Sequence, residues 1–358
     1  MLHALLDRLR PARRTRAAVI PSPAVARPAT AARAAAPPAP FPAPLPAAPA
    51  AMPPTHGAAP TLATDASAHA TLACMAVAEL RTEFGRGPEA EDVRAVLAAL
   101  ERDPMDAVRQ LPGAAREALA LCSDARASAA DLAGLCERDP GVAPALLRYA
   151  NSSHYARGGE RVTGLREAVH RVGFAGVRNV LLDVTVHGLL CQPGPELTVL
   201  AQEVWTHMIA TAPLARAVAP AFGAPPETAY ALGLLHDVGK LVLLDQISAL
   251  RARRRAAPRL PAPFVTAALR ALHEPLGAIA LRRWGLGDDA ARAVGAHHRA
   301  PPPAVHDPLG ETLFLAERAE LARRRGTALD LDALWASGAL RGDQVRATAL
   351  LAAHPVPA

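Results

Sequence analysis

Apolar residues recur at three- and four-residue spacing almost continuously from residue 66 onward, the period of helices that bury one face. The spacing predicts helices at 66–84, 89–100, 131–136, 141–149, 165–172 and 176–190, with a turn at Gly173. Cys191-Gln192-Pro193-Gly194-Pro195 then breaks the pattern. Beyond it the spacing predicts helices at 196–222, 226–244, 263–284, 288–297 and 309–324, a short one near 330–336 and a closing one at 341–353. Asp139 and Pro140 mark a helix start as cap and first-turn residue. The polar run from Asn151 to Gly159 reads as a loop. No segment reads better as a strand than as a helix, and no fixed repeat is visible. The expected fold is all-α, with one helical lobe ending near 190 and a second beginning near 195.

Residues 1–65 break with this pattern. Fourteen of the 35 prolines lie there, and a Pro/Ala-rich segment buries too little surface to offset its ordering entropy. A disordered tail is expected. Its first sixteen residues place Leu2, Leu5, Leu6 and Leu9 on one side and arginines on the other, a weak pattern for a membrane or partner contact; a solvated start is the preferred reading. The remaining boundaries are a helical lead-in at 66–107, a main domain at 108–300, and C-terminal helices at 301–358 packed on the second lobe.

Composition narrows the class. Hydrophobic residues make up 51% and aromatics only 3%, so the core is built from Ala, Leu and Val, which suits helices rather than a β-sandwich or barrel. No apolar window long and uncharged enough to cross a membrane is apparent. Cys74, Cys122, Cys136 and Cys191 show no metal-knuckle spacing; they read as small buried residues in a reducing cytoplasm. Seven of the arginines lie in 1–65 against Asp7 and Asp65, which leaves only +1 of the net +6 for the rest of the chain. A nucleic-acid surface on the core is therefore not expected. Lys240 is the only lysine in the chain.

The candidate chemistry lies among the histidines. His207, the adjacent pair His236-Asp237, His273 and the pair His297-His298 fall on four predicted helices, as a metal site inside a helical bundle requires. Imidazole with carboxylate suits Fe, Mn, Zn or Ni and metal-activated water. Lys240, one turn beyond His236, is placed to touch a phosphate. His3, His56, His69, His170, His187, His306 and His354 read as background. So do Asn151-Ser152, taken as a structural cap, and Arg166, Arg171 and Arg178, taken as a solvated face. No serine-hydrolase elbow, phosphate loop or dinucleotide fingerprint is present.

Gly233-Leu234-Leu235-His236-Asp237-Val238-Gly239-Lys240 resembles the signature of the HD superfamily of metal-dependent phosphohydrolases. Residues 108–300 more narrowly resemble the HDOD domain, through Leu111-Pro112, Asp139-Pro140, Leu147 to Tyr155, Leu165 to Val169, Val172-Gly173, Val177 to Val180, His273 with Gly277, Trp284-Gly285-Leu286 and His297-His298. The resemblance implies an all-α bacterial signalling module that binds partner proteins, with a nucleotide messenger as another ligand. It also implies a metal site at His207, His236, Asp237, His273, His297 and His298 that is not necessarily catalytic, with Asp237 and Lys240 as catalytic candidates. Metal-dependent phosphohydrolase activity is the alternative. Where HD enzymes place a closing aspartate, this chain offers Glu317. After the paired histidines it reads Arg299-Ala300-Pro301-Pro302-Pro303 in place of the Gly-Tyr-Pro of related cyclic-di-GMP phosphodiesterases, which argues against that activity.

Overall fold

The computed structural model describes residues 66–354, apart from 88, 123, 125, 157–158, 192–194, 254–259 and 301–305. The segment read as a tail, with His3 and His56, lies outside the described residues, as does Pro301-Pro302-Pro303. Among the described residues every regular element is a helix: α1 (Ala66–Phe84), α2 (Ala90–Arg102), α3 (Pro104–Ala107), α4 (Gly113–Cys122), α5 (Ala129–Cys136), α6 (Val142–Ala150), α7 (Ser153–Ala156), α8 (Leu165–Leu190), α9 (Pro195–Phe222), α10 (Pro226–Leu235), α11 (Val238–Arg253), α12 (Ala262–Arg283), α13 (Asp288–Val294), α14 (Pro308–Arg325), α15 (Leu331–Ala336) and α16 (Gln344–Ala352).

The elements start where local chemistry allows. Ser128 and Asp131 form a reciprocal capping box on α5, and Asp139 accepts hydrogen bonds from the Gly141 and Val142 amides ahead of α6. Asp307, Asp330 and Asp343 cap α14, α15 and α16. Each such cap satisfies amides that the helix itself leaves without partners.

Two predicted boundaries change. The single helix expected at 226–244 is two, because the chain bends at His236-Asp237 between α10 and α11. The helix expected at 288–297 stops at Val294, capped through Gly295, and His297 and His298 lie in the turn beyond. The break expected at Gly173 is present: its non-helical backbone (φ 70°, ψ 170°) kinks α8 into two helical segments. Helices α3, α4 and α7 went unpredicted: two are single turns, and the polar and small residues of α4 mask its period.

Helices α4, α5 and α6 pack on α8 to form the first lobe. In the second, α9 packs against α10 and α14, and α12 against α11 and α13. The lead-in helix α1 lies on α12, and α16 packs on α9. Leu214, Val218, Phe222, Phe314, Leu315, Leu340 and Leu351 share one apolar cluster that ties α14–α16 to α9. Helix α12 is long and apolar enough to cross a membrane by length and composition, contrary to the expectation from sequence. Most of its apolar residues from Phe264 to Leu281 are buried inside the bundle.

Arg216 of α9 joins the lobes. Its guanidinium donates to Tyr149 of α6 (2.5 Å) and to Glu227 of α10 (2.8 Å), and lies 3.9 Å from the ring centroid of Tyr230. Asn179 of α8 donates to the same Glu227 carboxylate at 2.7 Å. A buried charge is stable only when paired in this way.

Of the background residues, Asn151 is structural: its amide exchanges two 2.8 Å hydrogen bonds with the backbone of Val162. Arg171 donates to the Glu160 carbonyl, while Arg178 is half-buried rather than solvated. Two cysteines depart from the expected burial, Cys74 being exposed and Cys122 half-buried. Burial pushes the thiols of Cys122 and Cys191 up to about 12 and that of Cys136 to about 11, so these three stay protonated and unreactive.

Candidate metal centre

Two close backbone approaches assemble the site. A Cβ on Gly233 would sit 2.7 Å from the Cα of Ala212, so only glycine lets α10 press against α9 and bring His236 to His207. A Cβ on Gly239 would fall 2.0 Å from the carbonyl oxygen of His273 and 2.7 Å from the amide of Gly277. That contact lays the start of α11 on α12 and brings Asp237 to His273.

The histidine donors point inward. The Nδ1 atoms of His236, His273 and His297 lie 2.9, 3.0 and 2.7 Å from the carbonyls of Gly233, Arg270 and Val294. A carbonyl only accepts, so each Nδ1 carries a proton, and in the neutral ring each Nε2 presents the lone pair through which histidine binds metal. His207 is held differently. Its Nδ1 lies 2.6 Å from Glu320 Oε2, bent away from a straight hydrogen bond but too close for two unprotonated atoms. Its Nε2 faces His236 Nε2 at 3.1 Å, a separation that calls for a proton or a metal ion between the two nitrogens.

Asp237 stands among these lone pairs. Its Oδ2 lies 3.8 Å from His207 Nε2 and 3.6 Å from His236 Nε2. Its Oδ1 lies 3.8 Å from His273 Nε2 and 3.6 Å from His297 Nε2. Lys240 donates to Oδ2 at 2.6 Å. On α14, Glu317 lies 3.1 Å from His298 Nδ1 and within ligand distance of His236 and His297. Three overlapping sets thus gather donor atoms within 4.8 Å of one another: His207, His236 and Asp237; Asp237, His273, His297 and His298; and His236, His297 and Glu317. All six residues predicted as ligands, together with Glu317, come together. Glu320 went unpredicted, since a glutamate one turn from Glu317 on a charged helix carries no spacing signal of its own.

The electrostatics fit a cation. Burial lowers His236 to about 3 and holds His273 well below the usual imidazole range, so both rings are neutral and free to ligate. Burial opposes the ionisation of Asp237, yet the Lys240 ammonium and the His236 and His297 rings together outweigh it and hold the carboxyl well below the usual carboxylate range. Burial also lowers His297, but the Asp237 and Glu317 carboxylates more than compensate and raise it. Burial would raise Glu317, whereas the His298 hydrogen bond and the neighbouring His297 and His236 rings bring it down to about 2.

Asp237 Oδ1, His273 Nε2 and His297 Nε2 are buried without a hydrogen-bond partner. Orphaned buried acceptors are destabilising by about 1–3 kcal/mol each, and here they converge. His207 Nε2 and His236 Nε2, 3.1 Å apart, are joined by a proton or by a metal ion. Nitrogens so placed are both in reach of one ion at the usual metal–imidazole distance of about 2.1 Å. The residues fit a mixed N/O divalent metal centre.

The profile of the HDOD domain matches residues 108–300. A search of curated proteins finds no match. Among solved structures, the fold resembles a candidate phosphohydrolase from Shewanella amazonensis (19% identity, 73% of this chain and 94% of that one, TM-score 0.52). It also resembles a candidate signal transduction protein from Marinobacter aquaeolei (20% identity, 82% of this chain and 65% of that one, TM-score 0.52). A third is an HDOD domain protein of unknown function from Geobacter sulfurreducens (18% identity, 81% and 95%, TM-score 0.51). Such identities show a shared fold and nothing finer. With the profile spanning more than half of its length, the chain belongs to the HDOD domain family.

Proposed function

We propose that this protein is a metal-binding signal-transduction module, acting by binding partner proteins rather than by turning over a substrate. One observation carries the reading: the donor set is assembled, three of its buried donor atoms lack partners, and most of it is sealed from solvent. His207, His236, Asp237, His273, His297 and Glu317 are each at most 6% exposed. Only His298 and Lys240 of the centre reach the surface, with side chains 42% and 24% exposed. A metal held by donors from α9, α12, α14 and the two turns between them would clamp five chain segments. Its binding energy is then conformational energy of the HD-like lobe, available to change how that lobe presents itself to a partner. A reducing cytoplasm and a nucleotide messenger as a second ligand belong to the same proposal.

The alternative, a metal-dependent phosphohydrolase, is favoured by His298 and Lys240 at the rim, where a phosphate would meet the metal. In that chemistry Lys240 binds the phosphate and the metal activates water. The experiment is an assay of metal-loaded protein against bis(p-nitrophenyl) phosphate and cyclic dinucleotides, alongside thermal unfolding with and without metal. We expect stabilisation by metal and no hydrolysis. Metal-dependent hydrolysis abolished by Asp237→Ala would establish the enzyme instead.

A further inference from the structure

The two oxygens of Asp237 are not equivalent. Oδ1 faces His273 and His297 and has no partner. Oδ2 faces His207 and His236 but already accepts from Lys240 at 2.6 Å. Lys240 lies one turn along α11 from Asp237, on a side chain that reaches solvent. It is the only primary ammonium among the side chains of the whole protein. A metal on the His207–His236 side meets the oxygen that Lys240 already holds and is repelled by the ammonium on it, whereas one on the His273–His297–His298 side binds the other oxygen.

We propose that Lys240 is a tethered cation that closes the His207–His236–Asp237 position, so that the Asp237–His273–His297–His298 position fills first and a second ion enters only by expelling Lys240 toward solvent. The inference rests on the metal-binding reading above and adds to it an order of filling and a surface signal. In metal-free protein the ammonium neutralises a buried carboxylate that would otherwise stand alone. At the second step a divalent ion replaces it, and the lysine stem swings from Asp237 to the surface. The number of ions bound is thereby displayed as an exposed or a withdrawn amine.

The test is titration of the full chain with Mn²⁺ alone, counting free Mn²⁺ by electron paramagnetic resonance, for wild type, Lys240→Met and Lys240→Arg. In parallel, acylation of Lys240 by an amine-reactive ester is followed by peptide mapping, where a single lysine makes assignment unambiguous. Wild type and Lys240→Arg should bind one tight equivalent and a second at least about tenfold weaker, and Lys240→Met should tighten the second by about tenfold or more. Labelling of Lys240 should stay unchanged through the first equivalent and rise severalfold with the second. The proposal is overturned if Lys240→Met keeps the wild-type gap, or if labelling rises with the first equivalent or fails to rise with the second. Should Lys240→Met not fold, the labelling of wild type decides alone. If wild type binds neither Mn²⁺ nor Fe²⁺, Zn²⁺ or Ni²⁺ by elemental analysis, this proposal and the metal-binding reading fall together; equal affinities for the two Mn²⁺ equivalents in wild type overturn only this one.

Discussion

At the scale of single residues, the centre is organised by what holds the far nitrogen of each histidine. His236, His273 and His297 are fixed by backbone carbonyls, which no side-chain substitution removes. His207 is fixed by the Glu320 carboxylate, and a carboxylate behind an imidazole both sets its tautomer and raises its basicity toward metal. Glu320→Gln should therefore weaken metal binding about 10- to 100-fold and leave the fold intact, as equilibrium dialysis with circular dichroism will show. Unchanged affinity would mean that His207 is not a ligand. The pair His236-Asp237 was plain in the sequence because its flanking residues are particular to one superfamily. Glu320 was not, because a carboxylate's value here depends on which histidine it faces across the bundle.

At the scale of elements, close backbone approach between helices decides whether the donors meet. Helices α11 and α12 touch at Gly239, where a methyl group would collide with the His273 carbonyl and the Gly277 amide. Both atoms are backbone and cannot swing away. Gly239→Ala should lower stability by about 1–3 kcal/mol or more, measured by denaturant unfolding, and should weaken metal binding as Asp237 and His273 separate. A variant as stable as wild type would mean that α12 moves aside freely. The helical period revealed most long elements, but it overran at 226–244 and at 288–297. In both places the side chains keep their helical spacing while the chain turns, so periodicity cannot register the break. What marks these turns is function: each places a pair of site residues, His236-Asp237 and His297-His298, at a bend.

At the scale of the whole molecule, the lead-in helix is joined to the HD-like lobe through His69. This residue, read from sequence as background, is buried with its Nδ1 2.7 Å from Arg282 Nη1 of α12 and its ring against Gly295. Burial first, and then the Arg282 and Arg299 charges, lower its pKa from 6.5 to about 4. In the folded protein His69 is neutral over this window, while the unfolded chain takes up a proton below 6.5. Unfolding then binds protons, so stability falls as pH drops from 6.5 to about 4. His69→Gln, which still offers Arg282 an acceptor, should flatten that part of the pH–stability curve by at most one proton; an unchanged slope would show that His69 is solvated. The all-α class followed from composition and period. The docking of α1 on α12 did not, since His69 and Arg282 lie 213 residues apart and meet only in the fold.

The central claim is that these donors hold metal. Its most direct test is elemental analysis of protein purified without chelators or a histidine tag, comparing wild type with the His236→Ala/Asp237→Ala double variant. One or two equivalents of Fe, Mn, Zn or Ni in wild type, lost in the variant, is the predicted result. The absence of stoichiometric metal from wild type, even after incubation with each ion and desalting, would contradict the account and leave the histidine cluster as hydrogen-bonded packing in a protein-binding module.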